Sequence, residues 1–232
     1  MELTWYGQGC VRLRGKEGVV VADAFRSVVG PTGRGLTADI ATYSHAEPGT
    51  APARAAGGPT VDFVAGNAPP DLLVPTSLER SFCLAGPGEY EVHDILITGV
   101  RSARDETKGA ERGANVIFVY ELDGVRVAHL GDLGHLLTED QLGEVGEVQV
   151  VCVPIGGHLT AARAAEVAAQ LDAGLVVPLA VGGNEEETAA AMGRFLHEMG
   201  AKDLTPQARM SVTPSSVPEE ATVVLLEARG RG

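Results

Sequence analysis

The chain has 232 residues, 44% of them apolar and 21% charged, which excludes a disordered or membrane-embedded polypeptide and allows a sizeable hydrophobic core. Aromatic residues make up only 4%, so Val, Leu, Ile and Ala must fill most of that core. The formal net charge of −13 argues against a nucleic acid or an anionic membrane surface held by phosphate neutralisation.

The first half reads as short strands between turns. Leu3 to Tyr6 and Val11 to Leu13 alternate apolar and polar residues, and Gly18 to Asp23 is a buried-strand run ending at a carboxylate. Asp39 to Tyr43, Val61 to Val64, Leu72 to Val74 and Ile95 to Val100 continue the series. The Pro-, Gly- and Ala-rich stretch Glu47 to Thr60 reads as a loop, and Ser102 to Ala114 as a second, polar one. Asn115 to Tyr120 and Val125 to Leu130 form strands joined through Asp123-Gly124, a strong hairpin signal.

In the second half, Thr138 to Gln141 has the form of a capping box opening a short helix. Val148 to Val153 is a buried strand, Thr160 to Leu171 an Ala-rich helix and Leu175 to Leu179 a further strand. Asn184 caps a helix whose first turn holds Glu185, Glu186 and Glu187, where the helix dipole favours negative charge. Met192, Phe195, Leu196 and Met199 share one face of it, and Thr222 to Glu227 closes the chain as a strand. The order predicts one domain over residues 1–232, an α/β sandwich of two facing sheets with helices outside.

Met1 to Cys10 lack the pattern of a signal peptide, and no apolar run approaches the roughly 20 residues of a membrane span. Cys10, Cys83 and Cys152 form neither a disulfide framework nor a CxxC pattern, which suggests a reducing, cytoplasmic setting.

Several segments, taken in order, resemble the metallo-β-lactamase superfamily, in particular its bacterial branch of Zn-dependent-hydrolase-like proteins. They are Leu3 to Cys10, Val21 to Phe25, Tyr43-Ser44-His45, Gly86 to Glu91, Ile97 to Val100, Asp105 to Gly113, Ala128 to His135, Val153 to Gly157 and Val177 to Ala180. The resemblance implies an αββα four-layer sandwich with a metal site at one edge. In hydrolases of that family, imidazoles and carboxylates hold two zinc ions that turn a bridging water into a nucleophile.

Residue by residue, the implied metal motif is largely lost. His45 stands at the first His position, Glu47 at the second, Gly49 where an Asp is expected and Thr50 at the next His. Arg104 falls where the central loop carries its His, followed by the matching Asp105; Asp132 is retained, and Ala180 replaces the last His. A guanidinium among these carboxylates would repel a metal ion, and it can pair with Glu47 and Asp132 instead.

Three readings follow. One is a pseudoenzyme that binds a small, anionic molecule or a partner without a cofactor, through Arg104, Asp105 and His158. The second is a hydrolase with one weakly held zinc or other divalent ion on His45, Glu47 and Asp132. The third uses Glu47 or Asp132 as a base and Arg104 against an anionic transition state. His129 and His135 read as scaffold, and His93 and His197 as surface residues. The substrate and oligomeric state, a homo-oligomer included, stay open.

Overall fold

A computed structural model describes residues 1–46 and 72–229. Glu47, Gly49, Thr50, the loop at 47–60 and the strand expected at Val61 to Val64 lie outside these residues.

The first sheet is built from β1 (Glu2–Gly7), β2 (Cys10–Arg14), β3 (Val19–Ala22), β4 (Ile40–Thr42) and β5 (Phe82–Leu84). The second takes β6 (Gly88–Val92), β7 (Ile95–Ala103), β8 (Ala114–Leu122), β9 (Val125–His129), β10 (Val150–Ile155) and β11 (Leu175–Ala180). The two-residue strand β12 (Met210–Ser211) returns to the edge of the first sheet, and β13 (Thr222–Val223) to that of the second. Among the described residues the strand orders are β12-β1-β2-β3-β4-β5 and β13-β11-β10-β9-β8-β7-β6.

Helices α1 (Arg26–Val29), α2 (Glu139–Val145), α3 (Ala161–Leu171) and α4 (Glu185–Glu198) complete the described regular elements, with short 3-10 turns. The period-two alternation of the strands explains the layering. Along β8, Val116, Phe118 and Tyr120 face the first sheet and meet Leu13, Val20, Ile40 and Ile97. Ile117 and Val119, between them, turn outward to the layer that holds Val167, Leu171 and Phe195 of α3 and α4. On the far side of the first sheet, Val21, Ala41 and Tyr43 pack with Phe25, Val29 and Leu78. The result is the αββα sandwich that the resemblance implied.

Local signals explain most of the remaining elements. Asp123 (φ 52°) and Gly124 (φ 72°) both adopt positive φ, as a two-residue type I′ hairpin requires. Thr138 and Gln141 form a reciprocal capping box, as do Asn184 and Glu187. The closing strand expected over Thr222 to Glu227 is only the pair Thr222–Val223, and Leu72 to Val74 form no strand. The polar loop between β7 and β8 is shorter than expected, because Ser102 and Ala103 extend β7 and Ala114 opens β8. Strands β5, β6 and β12 have no counterpart in the sequence reading. β6 is an edge strand of only five residues, in which the Gly and Glu positions are exposed and Tyr90 and Val92 are the two that turn, partly buried, to the core.

Candidate functional site

Strands β3 and β4 run parallel in one sheet, and β9, β10 and β11 run parallel in the other. Their C-terminal ends open onto one edge of the sandwich, where backbone leaves the ladders and side chains are released into loops. A cleft of about 370 Å³ lies there. Phe25, Val28 and Val181 give it apolar wall, and Asp23, His45, Arg104, Asp132 and His158 its charged or ionisable groups.

Asp132 is the centre of that edge. Its Oδ2 accepts from Arg104 Nε at 2.8 Å and lies 2.7 Å from Arg104 Nη2. His158 Nε2 is 3.1 Å from the same oxygen, close enough for attraction though off the line of a good hydrogen bond. The carboxylate and guanidinium side chains are 13% and 21% exposed, so this pair is much less screened than a surface ion pair. Burial alone would raise the Asp132 pKa; the His158 contact and the nearby charges of His45 and Arg104 bring it below the usual carboxylate range.

The Gly-Asp-Leu-Gly turn serves two ends of this pair. Asp132 N donates to Oδ1 of the fully buried Asn115 at 2.9 Å, while Asn115 Nδ2 donates to Leu130 O and Ser102 Oγ. Gly134 lets the turn press against the Arg104 backbone, with Gly134 N donating to Ala103 O at 3.0 Å. The turn therefore fixes the carboxylate and also draws in the loop that delivers the guanidinium. Arg104 Nη1 donates onward to Arg112 O at 3.2 Å, and the Arg112 guanidinium contacts His158 Nδ1. An Arg N–H can only donate, so Nδ1 of His158 is the acceptor and its proton sits on Nε2, facing Asp132.

His45 is fixed by a different chain. Asp23, 1% exposed, follows β3 and accepts from Ser44 N at 2.7 Å and Ser44 Oγ at 2.6 Å. The one Ser44 hydroxyl proton is thereby used, so the 2.7 Å contact to His45 Nδ1 requires the ring to donate there. Nε2 then carries the lone pair on a ring that lines the cleft and packs 4.8 Å from Phe25, centroid to centroid. Burial lowers the His45 pKa, followed by Arg104 and His129, while Asp23 and Asp132 act in the opposite sense.

Of the residues singled out from sequence, His45, Arg104, Asp132 and His158 converge on the cleft. Glu47 lies outside the described residues, so its pairing with Arg104 does too. Asp105 takes another place from the one expected. It is 7% exposed, its Oδ1 accepts from Thr107 N, Thr107 Oγ1 and Gly109 N, and its Oδ2 from Glu111 N and Arg112 N. Burial opposes its charge, yet these donors, Arg112 N foremost, hold its carboxyl far below the usual range. It shapes the loop that holds Arg104 and does not line the cleft.

His129 donates from Nε2 to Gly9 O at 2.8 Å, and His135 accepts at Nε2 from Ala103 N at 3.1 Å; both hold backbone in place. Asp23 and Ser44 were not singled out for function, although the β3 run was seen to end at a carboxylate. Cys10 and Cys152 are fully buried, which pushes the Cys152 thiol up to about 12 and Cys10 higher still.

A family described as "Beta-lactamase superfamily domain" matches residues 2–180. The chain belongs to this superfamily. A Thermotoga maritima protein, described as a candidate Zn-dependent hydrolase of the metallo-β-lactamase superfamily, is 27% identical with a TM-score of 0.65, covering 97% of this chain and 98% of that one. A candidate metal-dependent hydrolase from Parabacteroides distasonis shares the fold at 14% identity and a TM-score of 0.60, covering 97% and 93%. A UPF0173 metal-dependent hydrolase from Korarchaeum cryptofilum is 35% identical over 69 residues, which span 30% of this chain and 29% of that protein.

The described residues hold only part of the positions where the superfamily's metal motif falls, since Glu47, Gly49 and Thr50 lie outside them. Among the described residues, no group of three His, Cys, Asp or Glu side chains is arranged to hold an ion. Arg104 places two N–H groups on Asp132 Oδ2, Arg112 engages His158 Nδ1, and His158 Nε2 lies 3.1 Å from the same carboxylate oxygen. Ala180, at the end of β11, offers no donor. Metal sites of this kind need several deprotonated donors converging together, whereas here a permanent cation holds the best carboxylate.

Proposed function

We propose that this metallo-β-lactamase-fold, hydrolase-like protein has replaced its dinuclear zinc site with the Arg104 guanidinium and keeps the cleft as a small-molecule site. The observation that carries the reading is the forked contact of Arg104 Nε and Nη2 with Asp132 Oδ2. A guanidinium supplies fixed positive charge and directional donors, so it can neutralise the carboxylate and meet an anionic ligand group. It cannot lower the pKa of a bound water as a metal does. The cleft size falls in the range of small-molecule pockets.

The competing reading keeps one ion on His45, Glu47 and Asp132. The metal-dependent relatives support it, and so does the His45 tautomer: a ligating His commonly donates its other ring nitrogen to a supporting group, as Nδ1 does here to Ser44. Arg104 on the same carboxylate opposes it. Elemental analysis of protein purified without chelator separates the two. The guanidinium reading expects less than about a tenth of an equivalent of zinc, manganese or iron, since so depleted a donor set does not retain metal. Near-stoichiometric metal that is lost in both His45→Ala and Asp132→Ala would overturn it.

A further inference from the structure

If the cleft is metal-free, as proposed above, the chemistry of its occupant can be read from charge that its own residues leave unbalanced. A guanidinium carries five N–H groups. Arg104 commits three, one each from Nε and Nη2 to Asp132 Oδ2 and one from Nη1 to Arg112 O, which leaves two on a side chain that lines the cleft. The Arg112 guanidinium stands exposed at the rim and contacts Nδ1 of His158, a residue that lines the cleft. Among the described residues no carboxylate pairs with it. The Arg112 backbone is nevertheless fixed on both sides, with N donating to Asp105 Oδ2 at 2.6 Å and O accepting from Arg104. Two anchored guanidinium groups thus meet one carboxylate, Asp132. The neighbouring carboxylates are directed elsewhere: Asp105 onto donors of its own loop, and Asp23 onto Ser44. In a chain of net charge −13, this is a local cationic excess at the mouth of a cleft.

An apolar wall adjoins this cationic end. Phe25, Val28 and Val181 line the same cleft. Gly157 marks where the two parts meet, since a β-carbon there would lie 2.9 Å both from Asp132 Oδ1 and from a Val181 methyl. We infer that the cleft binds a small monocarboxylate with an apolar body. Its carboxylate is held by Arg104 and Arg112, and its chain lies on Phe25, Val28 and Val181. One negative charge completes the balance of two guanidinium groups against Asp132, whereas a dianionic phosphate overfills it. A planar carboxylate also matches the edge of a guanidinium, and the chain gains by leaving water for the wall. His158 is a positioning residue, because its Nδ1 sets the direction of the Arg112 side chain.

The test uses the full chain, first analysed for metal and then titrated calorimetrically with butyrate, hexanoate, hexanamide and inorganic phosphate. Affinity is expected to rise from butyrate to hexanoate by about fourfold per methylene, the worth of burying each in an apolar site. Hexanamide, of the same shape without the charge, and phosphate, charged without the chain, should each bind at least about tenfold more weakly than hexanoate. Arg112→Gln should weaken hexanoate by about tenfold or more, the loss of a charge-assisted contact. Its urea midpoint should match the parent's, because the side chain is exposed. Val28→Ser should shrink the gain from butyrate to hexanoate. Metal-free protein that shows no hexanoate binding at about 10 mM overturns this inference, being weaker than even a millimolar site. So does phosphate or hexanamide as tight as hexanoate, or an Arg112→Gln variant that binds like the parent. Each of these outcomes leaves the guanidinium reading in place. Stoichiometric metal that is lost in both His45→Ala and Asp132→Ala overturns that reading and this inference with it.

Discussion

The Cα of Gly134 lies against the carbonyl of Arg104, so close that any β-carbon at position 134 would overlap the Arg104 carbonyl oxygen and carbon and crowd the Asp105 amide. One glycine thereby couples the turn that carries Asp132 to the strand end that carries its guanidinium partner. Backbone, unlike a flexible side-chain tip, cannot move aside cheaply.

Gly134→Ala should therefore destabilise the protein by about 1–3 kcal/mol, the usual cost of overpacking. Urea denaturation of variant and parent checks this. A midpoint equal to the parent's would show that the two segments separate without cost.

Arg104→His restores the residue type that resembles the family's central-loop ligand and removes the permanent cation from Asp132. Zinc affinity should rise at least tenfold over the parent, measured by titration calorimetry at neutral pH. Arg104→Ala should gain less, because it removes the repelling charge without adding a donor. If zinc binding is unchanged in Arg104→His, the guanidinium is not what keeps metal away.

The layering was legible because β8 and β10 alternate between two apolar faces, and the caps at Thr138 and Asn184 mark helix starts through local chemistry alone. Arg104, Asp132 and His158 could be named because each sits at a motif position or a Gly-rich loop. The Asp23-Ser44-His45 chain could not, because it depends on parallel pairing of β3 with β4, which brings together residues 21 apart in sequence. Asp105 was misplaced for a related reason. Its neighbour Arg104 turns toward the cleft, while the Asp105 carboxylate folds back onto amides of its own loop, a choice made by backbone geometry.

Asp105 makes a pH prediction. Its folded pKa lies below the unfolded value of about 3.9, so the folded state binds this proton less readily than the unfolded state. Its contribution is fully present above the unfolded pKa and is lost as pH falls from about 4 toward the folded value. Asp105→Asn places an amide donor where two acceptor sites face backbone N–H groups, at a cost of about 1–3 kcal/mol at pH 7. The stability gap between parent and variant, from urea melts between pH 7 and 3, should narrow only at the acid end. A gap independent of pH would mean that the charge does not stabilise the loop.

Asn115 joins three parts of the site: Ser102 on β7, Leu130 after β9 and the Asp132 amide all bond to its one side chain. Leucine at 115 has similar bulk but cannot bond, and the buried Leu130 carbonyl and Asp132 amide would lose their partner. Asn115→Leu should cost about 3 kcal/mol, since each unsatisfied buried group costs roughly 1–3 kcal/mol. It should also loosen Asp132 from Arg104, because the Asp132 backbone would no longer be tied to β8. Denaturant melts give the first quantity. The second appears in a carboxyl 13C titration of Asp132, whose pKa should move up toward the ordinary range as the guanidinium contact weakens. If the variant is destabilised but the Asp132 titration does not move, Asn115 supports the fold without positioning the carboxylate.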